Sequence, residues 1–387
     1  MVRVAGVGLT RFGSTPERTS RDLFAEASAV AFDDAGVPRD DVDALYYGNF
    51  MGEIAEHQGH QGPLMAEAAG LHDAPSMRFE SACASSGAAV RHAVQNLDNG
   101  EADLLLVGGA ERMTNLGTGG ATEALAIAAD DLWEVRAGVT FPGAYALMAR
   151  AYFDRYGGER EDLAHVAVKN HEHALENEYA QYQRAIDVDD VLEAPMVSAP
   201  LGLYDSCPIS DGASAVVLAS DDYVDEHGLD APVSITGTGQ GGDNLALQDR
   251  DQFARTPATD AAAREAYEDA GIEPTDVDLA EVHDCFTIAE VISIEGLGLY
   301  EPGEGIGAAR DGETAAGGRC PVNLSGGLKA KGHPVGATGT AQVAEIAQLL
   351  RGDHVNSSAV SDAEVGVTHN AGGTQASVFV HVLEVGA

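Results

Sequence analysis

The stretch FESACASSGAAVRHAVQNL, residues 79–97, places one cysteine, Cys83, among small residues just before a run of helical periodicity. The apolar residues of this run recur every three or four positions, which predicts a helix capped by Ser85 or Ser86. A thiol at a helix N-terminus lies near unpaired N–H groups and the positive end of the helix dipole, and both favour the thiolate. Cys83 is therefore a candidate nucleophile, and the alternative is a buried structural cysteine.

The charge balance of the chain narrows the possible partners. The 387 residues carry 62 acidic and 22 basic side chains, a net charge of −40, and only three of the basic residues are lysines. Nucleic-acid binding and docking on anionic membranes both need a basic surface, so both are excluded. We interpret the charge, which is spread along the chain, as adaptation to a salty cytoplasm, because salt screens charges over about 3 Å at 1 M. The alternative is an ordinary acidic protein.

The cysteines and the N-terminus indicate a cytoplasmic protein without a metal site. The four cysteines lie far apart and form no CxxC pair, so we expect neither zinc nor a disulfide framework. The first residues, MVRVAGVGLTRFG, lack the apolar core of a signal peptide and predict a strand. No apolar run reaches the length of a membrane span.

An internal repeat organises the chain. Residues 31–43, AFDDAGVPRDDVD, match residues 266–278, AYEDAGIEPTDVD, at a constant offset of 235. A second match pairs SSGAAV, residues 85–90, with ATGTAQ, residues 337–342. Because both matches keep the same order, we infer a duplicated fold.

Strands and helices alternate in each half. Continuous apolar runs such as residues 104–107 predict strands buried on both faces, as in a layered α/β fold. We expect two duplicated βαβαβ-type halves, residues 1–113 plus 196–222 and residues 231–387. An inserted loop domain, residues 114–195, interrupts the first half, and the acidic segment 221–230 links the halves.

Equivalent loops of a duplicated fold should lie side by side, which points to segments of the second half. KGHPVGATGTAQ, residues 331–342, places His333 in a turn that corresponds to the Cys83 turn, where a base would activate the thiol. EVHDCFTIAE, residues 281–290, offers His283 to stabilise negative charge and Cys285 as an acid or base. The alternatives are a satisfied core histidine at 333 and a turn with incidental polar residues at 283–285.

A glycine pair near the C-terminus could complete the site. In VTHNAGGTQA, residues 367–376, Gly372 or Gly373 could bring a backbone N–H to a reacting oxygen and form an oxyanion hole with the N–H of Cys83. The segment GGAERM, residues 108–113, is interpreted as structural. Cys207 and Cys320, which lie near prolines, are interpreted as packing residues.

With these motifs in view, the chain resembles the thiolase superfamily, and most of all the sterol-carrier-protein-type thiolases and the archaeal acetoacetyl-CoA thiolases. The resemblance covers nearly the whole chain. It rests on SACASSG, SDGASAVVL, VHDCF, NLSGGLKAKGHPVGATG and HNAGG, residues 81–87, 210–218, 282–286, 323–339 and 369–373.

The resemblance implies a thiolase-like layered fold and an acetyl-CoA C-acetyltransferase that condenses two acetyl-CoA to acetoacetyl-CoA and CoA, or runs the reverse thiolysis. Cys83 would carry the acyl group, His333 would activate Cys83 and help hold the thioester oxygen of the incoming acetyl-CoA, and His283 would share that oxyanion site. The amides of Cys83 and Gly372 would hold the second oxyanion. Coenzyme A thioesters are substrates, and no further cofactor is implied.

One departure from the family pattern leaves the base of the condensation open. Common thiolases carry a second catalytic cysteine in a CxG motif near the C-terminus, where this chain has HNAGG. Cys285 is the natural substitute, and His283 is the other candidate.

Other functions and partners follow from the same residues. The alternatives are a 3-ketoacyl-CoA thiolase for longer chains, a decarboxylating ketoacyl synthase, which would not need Cys285, and a non-catalytic acyl-CoA-binding scaffold subunit. The resemblance implies a homodimer or a dimer of dimers, and a small accessory subunit with an OB fold and a zinc ribbon.

Overall fold

The computed structural model describes residues 1–386 as an α/β protein built on one nine-stranded sheet. The first half begins with β1 (Val2–Leu9), α1 (Ser20–Ala35), β2 (Ala44–Gly48), α2 (Gly52–Ala55), α3 (Gln61–Ala69), β3 (Ser76–Phe79), α4 (Ser85–Asp98) and β4 (Leu104–Glu111). It continues through α5 (Gly117–Ala126), α6 (Phe141–Tyr156), α7 (Arg160–His173), α8 (Val188–Glu193), β5 (Met196–Ser198), β6 (Leu201–Gly202), β7 (Gly212–Ser220) and α9 (Asp221–His227). The second half contains β8 (Val233–Gly242), α10 (Pro257–Ala270), β9 (Leu279–Glu281), α11 (Thr287–Gly296), α12 (Gly305–Arg310), α13 (Thr338–Arg351), β10 (Val365–Gly372) and β11 (Ser377–Val385).

The strand order shows the duplication directly. The sheet runs β3-β2-β4-β7-β1-β8-β11-β10-β9, and β1 meets β8 in the middle. Outward from that seam, β1, β7, β4 and β2 have the same relative directions as β8, β11, β10 and β9. A parallel bridge between Ala280 and Val322 stands where β3 pairs with β2. The two halves therefore share one topology, as the repeat predicts.

Both faces of the sheet are covered, which explains its continuous apolar strands. In β4, Leu105 and Val107 pack in the core that contains α4 and α13. The alternate residues Leu104 and Leu106 pack in the core that contains α1. Because successive side chains of a strand point to opposite faces, an apolar run such as LLLV is buried throughout.

The repeated sequence forms the same unit twice. In each copy, a helix ends at a left-handed glycine, Gly36 with φ 66° or Gly271 with φ 75°. A short 3-10 turn follows, and the chain then enters β2 or β9. Glycine ends both helices because it adopts this conformation without the steric cost of a Cβ.

Helices α4 and α13 cross closely at two equivalent glycines. A Cβ at Gly339 would come within 2.3 Å of the backbone nitrogen of Gly87, and one at Gly87 within 2.6 Å of Asn370 Oδ1. Both positions therefore need glycine. The crossing places the start of α4, beside Cys83, against the start of α13, beside the His333 turn.

The predicted serine cap of α4 is wrong. The N-cap is Ala84, which makes no side-chain capping bond. Ser85 Oγ donates to the carbonyl of Ala82 at 2.6 Å, and Ser86 Oγ accepts from the N–H of Thr340 at 3.1 Å. Both serines are buried inside the helix crossing, so their hydroxyls bind neighbouring backbone instead of the helix start.

One other boundary differs from the sequence expectation. The segment expected to link the halves begins with α9, which Ser220 caps through the N–H of Tyr223 at 3.2 Å. Across the described residues, no helix combines the length and apolar character that crossing a membrane requires.

Candidate active site

One thiol and two imidazoles from different halves of the chain meet in the interior. Cys83 precedes α4, His283 follows β9, and His333 lies in the turn before α13. One ligand-type atom from each, the sulfur and a ring nitrogen of each histidine, lies within 4.8 Å of the other two. The two rings meet edge to face at 87°, with centroids 4.9 Å apart. The duplicated loops therefore converge as the repeat predicts.

A cavity of about 430 Å³ opens onto this group. The second half and the start of α4 contribute the lining residues Cys83, Cys285, Phe286, His333 and Gly373. The inserted segment and the loops after it contribute others, among them Thr118, Phe141, Tyr145, Tyr182 and Leu203. A larger hollow of about 770 Å³, beside Arg255 and Arg264, has no cysteine or histidine in its lining, so the chemistry belongs to the smaller cavity.

The hydrogen bonds of His333 make its Nε2 an acceptor. Thr338 Oγ1 donates to the carbonyl of Pro334 at 3.0 Å, so this hydroxyl accepts from His333 Nδ1–H at 2.7 Å. Burial lowers the pKa of His333 to about 3, so the ring is neutral at physiological pH. Its Nε2, which is buried and has no hydrogen-bond partner, carries a lone pair and is a base.

His283 has the opposite tautomer. Asn370 Nδ2 donates to His283 Nδ1 at 3.3 Å, and the same amide group donates to the carbonyl of Cys83 at 3.1 Å. The proton of the neutral ring is therefore on Nε2, which is buried and without a partner. Burial, together with His333 and His369, lowers the pKa of His283 well below its usual value. The site thus pairs an acceptor nitrogen on His333 with a donor nitrogen on His283.

The ionisation of Cys83 differs from the expectation for a helix start. Burial, followed by the nearby Cys207, raises the pKa of the Cys83 thiol to about 12. The backbone N–H groups of Gly373 and of Cys83 itself lower this pKa, but desolvation outweighs them. The resting Cys83 side chain is therefore a thiol, and the Nε2 of His333 is the group of this site that could accept its proton.

Cys285 lies in the same cavity as Cys83. Burial, with Cys207 and Cys83 nearby, raises its pKa well above the usual value, and the Tyr145 side chain, which can donate to the thiolate form, lowers it. Cys207, interpreted from sequence as a packing residue, also lines the cavity and donates its N–H to the carbonyl of Cys285 at 2.9 Å. The structure therefore places a second thiol where an acid or base could reach a substrate on Cys83.

Of the glycine pair, Gly373 directs its N–H toward the Cys83 sulfur. Gly373 has a φ of 60°, and Gly372 is the last residue of β10, opposite Ser377. His369, earlier in the same strand, bonds Thr259 Oγ1 through Nε2 at 3.0 Å and accepts from the N–H of His283 at 3.4 Å. The segment thus supports His283 on one side and faces Cys83 on the other.

Asp284, between His283 and Cys285, holds two loops of the site together. Its carboxylate accepts from the N–H of Leu328 at 2.6 Å, that of Lys329 at 3.2 Å and Asn170 Nδ2 at 2.7 Å. Burial and the nearby Glu290 raise its pKa to about 7. It joins the loop that carries His283 to the loop that leads to His333.

Three residues that support the site were not singled out as functional in the sequence. They are Thr338, Tyr145 and Glu111. Glu111, in the segment interpreted as structural, is fully buried and accepts from Asn49 Nδ2 at 2.8 Å and from the N–H groups of Phe50, Met51 and Gly336 at 2.9, 3.0 and 3.1 Å. The sequence signal for Glu111 was an acidic residue at the end of an apolar run, because a buried charge needs hydrogen-bond partners.

Outside the Cys83 group, residues 1–386 contain no cluster of three histidine, cysteine or carboxylate side chains with the spacing of a metal site.

Comparison with protein families accounts for the duplicated halves. The N-terminal thiolase domain matches residues 2–222, and the thiolase C-terminal domain-like family matches residues 239–385. The chain belongs to the thiolase family.

Relatives with curated names span almost all of this thiolase. It is 45% identical over 98% of both chains to an "acetyl-CoA acetyltransferase" of Methanothermobacter thermautotrophicus, and 40% identical over 99% of its length to one of Methanocaldococcus jannaschii, 98% of which is covered. Human "sterol carrier protein 2" is 32% identical over 96% of this chain and 70% of its own.

Solved structures share the fold. A structure described as "Ltp2-ChsH2(DUF35) aldolase" has a TM-score of 0.83 and 26% identity, covering all of this chain and 98% of its own. An acetyl-CoA acetyltransferase from Syntrophomonas wolfei has a TM-score of 0.76 and 19% identity, covering 99% of this chain and 98% of its own, and shows the fold alone.

Proposed function

We propose that this thiolase is an acetyl-CoA C-acetyltransferase, which forms acetoacetyl-CoA and CoA from two acetyl-CoA or catalyses the reverse thiolysis. The observation that carries the proposal is the meeting of the Cys83 thiol, an acceptor Nε2 and a donor Nε2 beside one cavity. The two archaeal relatives named acetyl-CoA acetyltransferase support the choice of substrate.

In the first half-reaction, Cys83 takes the acetyl group. Its proton moves to Nε2 of His333 as the sulfur attacks the thioester carbonyl. The N–H groups of Cys83 and Gly373 donate to the resulting oxyanion, a contribution that is large in a buried site. When the intermediate collapses, the CoA thiolate leaves with the proton of Cys285, so that His333 stays protonated and Cys285 becomes a thiolate.

In the second half-reaction, a new acetyl-CoA places its thioester oxygen between the Nε2–H groups of His283 and His333. The Cys285 thiolate takes the α-proton, and the enolate forms a C–C bond to the acyl carbon. Cys83 leaves as a thiolate and recovers its proton from His333. Because Nε2 of His283 carries its proton, His283 is a donor, and we assign the base to Cys285.

The second thiol, Cys285, also argues against a decarboxylating synthase as the alternative function. A decarboxylating synthase has no α-proton to remove and no use for a second thiol in the cavity, and a scaffold subunit forms no acyl-enzyme. The deciding experiment mixes the protein with acetyl-CoA in molar KCl, determines the mass of the intact protein, and compares acetoacetyl-CoA, a longer 3-ketoacyl-CoA and malonyl-CoA as substrates. We expect one acetyl adduct and thiolysis of acetoacetyl-CoA. Both should be absent in Cys83→Ala, and turnover of malonyl-CoA alone would refute the proposal.

Cys285→Ala tests the assignment of the base. We expect this variant to slow exchange of the acetyl-CoA α-protons in deuterated buffer about 100-fold or more, the usual range for a general base. Acylation of Cys83, followed by mass spectrometry, should slow less. An equal loss of both rates would move the base to another residue.

We propose the same division of the chain as the sequence indicates, with halves at residues 1–113 plus 196–222 and 231–387 and an inserted loop domain at 114–195. The matching strand directions on either side of the β1–β8 seam support the halves. The lining of the cavity by Phe141, Tyr145 and Tyr182 supports a substrate-covering role for the insertion.

We also propose a cytoplasmic homodimer, or a dimer of dimers, adapted to high salt. The outer edge of β3 is unpaired among the described residues and exposes 56% of Met77, so that edge can pair with a second copy. The three lysines, Lys169, Lys329 and Lys331, are all buried, so every lysine is absent from the acidic surface. The structural neighbour with DUF35 in its description supports the expected small accessory subunit.

A further inference from the structure

We propose that Tyr145 is a positioning residue for both half-reactions, and that its one hydroxyl proton moves from the Gly373 carbonyl to the Cys285 sulfur when Cys285 becomes a thiolate. The inference rests on the proposed function, because it assigns a task to a residue of the same site. Tyr145 belongs to the inserted segment, which the sequence repeat does not contain.

The ring of Tyr145 is held firmly. It lies in α6, is fully buried, and stacks on Phe286 at 28° with centroids 4.7 Å apart. Phe286 follows Cys285 in the chain, so the stack also aligns the backbone that carries the second thiol. Both aromatic residues line the cavity with Cys83.

In the resting site, the Tyr145 hydroxyl holds the loop at Gly373, whose N–H we assign to the oxyanion. It donates to the carbonyl of Gly373 at 3.1 Å, while the N–H of Gly373 points to the Cys83 sulfur. Arg250 holds the next residue, because its Nη1 donates to the carbonyl of Thr374 at 2.6 Å and its Nη2 to the hydroxyl at 2.9 Å. Two side chains therefore hold this loop in place, Tyr145 through its hydroxyl and Arg250 through its guanidinium group.

The same hydroxyl faces the Cys285 sulfur, because both residues line one cavity and the ring stacks on the neighbouring Phe286. The interaction between the two side chains shifts the pKa of each. A tyrosine hydroxyl has one proton, so it accepts from the Cys285 S–H while it donates to Gly373. After Cys285 protonates the leaving CoA, the hydroxyl can turn and donate to the thiolate. A hydrogen bond to a charged group is stronger than one to a neutral carbonyl, so the turn is favourable.

The charges around Cys285 make this donor important. The titratable groups that face the thiol are Cys207, Cys83, Asp284 and Tyr145, and Lys329 acts on Cys207. Burial, Cys207 and Cys83 raise the pKa of Cys285, and Asp284 raises it further. The Tyr145 hydroxyl lowers this pKa. Removing the hydroxyl therefore moves the ionisation of Cys285 to higher pH.

The test is Tyr145→Phe, which removes only the hydroxyl. We expect α-proton exchange of acetyl-CoA to fall about 10- to 100-fold, the loss typical of a hydrogen bond to a charged group, and its pH profile to move to higher pH. Acylation of Cys83 should fall less than about 10-fold, since Arg250 still holds the loop. Tyr152→Phe is the matched control, because Tyr152 is buried in the same helix and bonds Glu295 at 2.5 Å.

The outcomes separate this inference from the proposed function. A wild-type protein that forms no acyl-enzyme and exchanges no α-proton contradicts the proposed function. A wild type that does both, with a Tyr145→Phe variant of unchanged exchange rate and pH profile, contradicts only the role of Tyr145. Equal losses of acylation and exchange without a pH shift also contradict it, since they indicate a merely structural role.

A second substitution keeps the test decisive if the phenylalanine variant does not fold. Incorporation of 3-fluorotyrosine at position 145 retains the hydroxyl and makes the phenol a stronger donor. We expect the pH profile of α-proton exchange to move to lower pH, opposite to the shift in Tyr145→Phe. An unchanged profile, or one displaced to higher pH, would overturn the proposal.

Discussion

The proposed acylation step depends on the tautomer of His333, in which Nε2 is free to accept a proton. The substitution Thr338→Val tests this tautomer. Valine has nearly the shape of threonine but no hydroxyl, so the buried Nδ1–H of His333 loses its acceptor at 2.7 Å. An unpaired buried donor costs about 1–3 kcal/mol. The ring can avoid that cost by moving its proton to Nε2, which then cannot accept the proton of Cys83.

Either result lowers the acylation rate. At 1.36 kcal/mol for each factor of ten, the cost corresponds to a loss of about 5- to 150-fold. The assay follows the mass of the acetylated protein after rapid mixing with acetyl-CoA. Because the thiol of Cys83 remains buried and protonated, raising the pH within the neutral range should not restore the rate.

Thr340→Val is the control for this variant. Thr340 is also buried in α13 and loses a hydroxyl contact to Ser214 at 2.5 Å, but its hydroxyl makes no hydrogen bond to His333. We expect this control to reduce stability without changing the rate at which folded protein is acylated. Thr338→Val with wild-type acylation would refute the tautomer argument, and equal losses in the two variants would show a general effect on α13.

Two further predictions concern stability. Gly339→Ala should lower the free energy of unfolding by about 1–3 kcal/mol, because the new Cβ meets the Gly87 nitrogen at 2.3 Å, whereas Gly119→Ala, with nothing within 4 Å, should cost nothing in denaturant melts. Burial raises the pKa of Glu111 to about 7, so folded protein keeps a proton that unfolded protein releases at lower pH. Its carboxyl should therefore lower the free energy of unfolding by up to about 3 kcal/mol as the pH rises from about 4.5 to about 7. Glu111→Gln removes that titration, so the wild-type stability minus that of the variant should fall across this window, and a constant difference would contradict the assignment.

The sequence alone determined the architecture and predicted the candidate site residues. Two matches at ordered positions were enough to predict the duplication, because each copy repeats the periodicity and the helix-ending glycine that local sequence encodes. Cys83 stood out from its local sequence, and the duplication directed attention to His283 and His333 before any distance was known. The place of Cys285 beside them also followed from its motif.

Tertiary structure alone decided how these groups ionise and what holds them. The expected thiolate at 83 is a thiol with a raised pKa, because desolvation depends on how many distant segments cover the sulfur. The tautomers of the two histidines depend on Thr338 and Asn370, and the amide of Asn370 meets the carbonyl of Cys83 from 287 positions away. Such contacts leave no periodic trace in a single sequence, since they follow from where the folded chain brings its segments together.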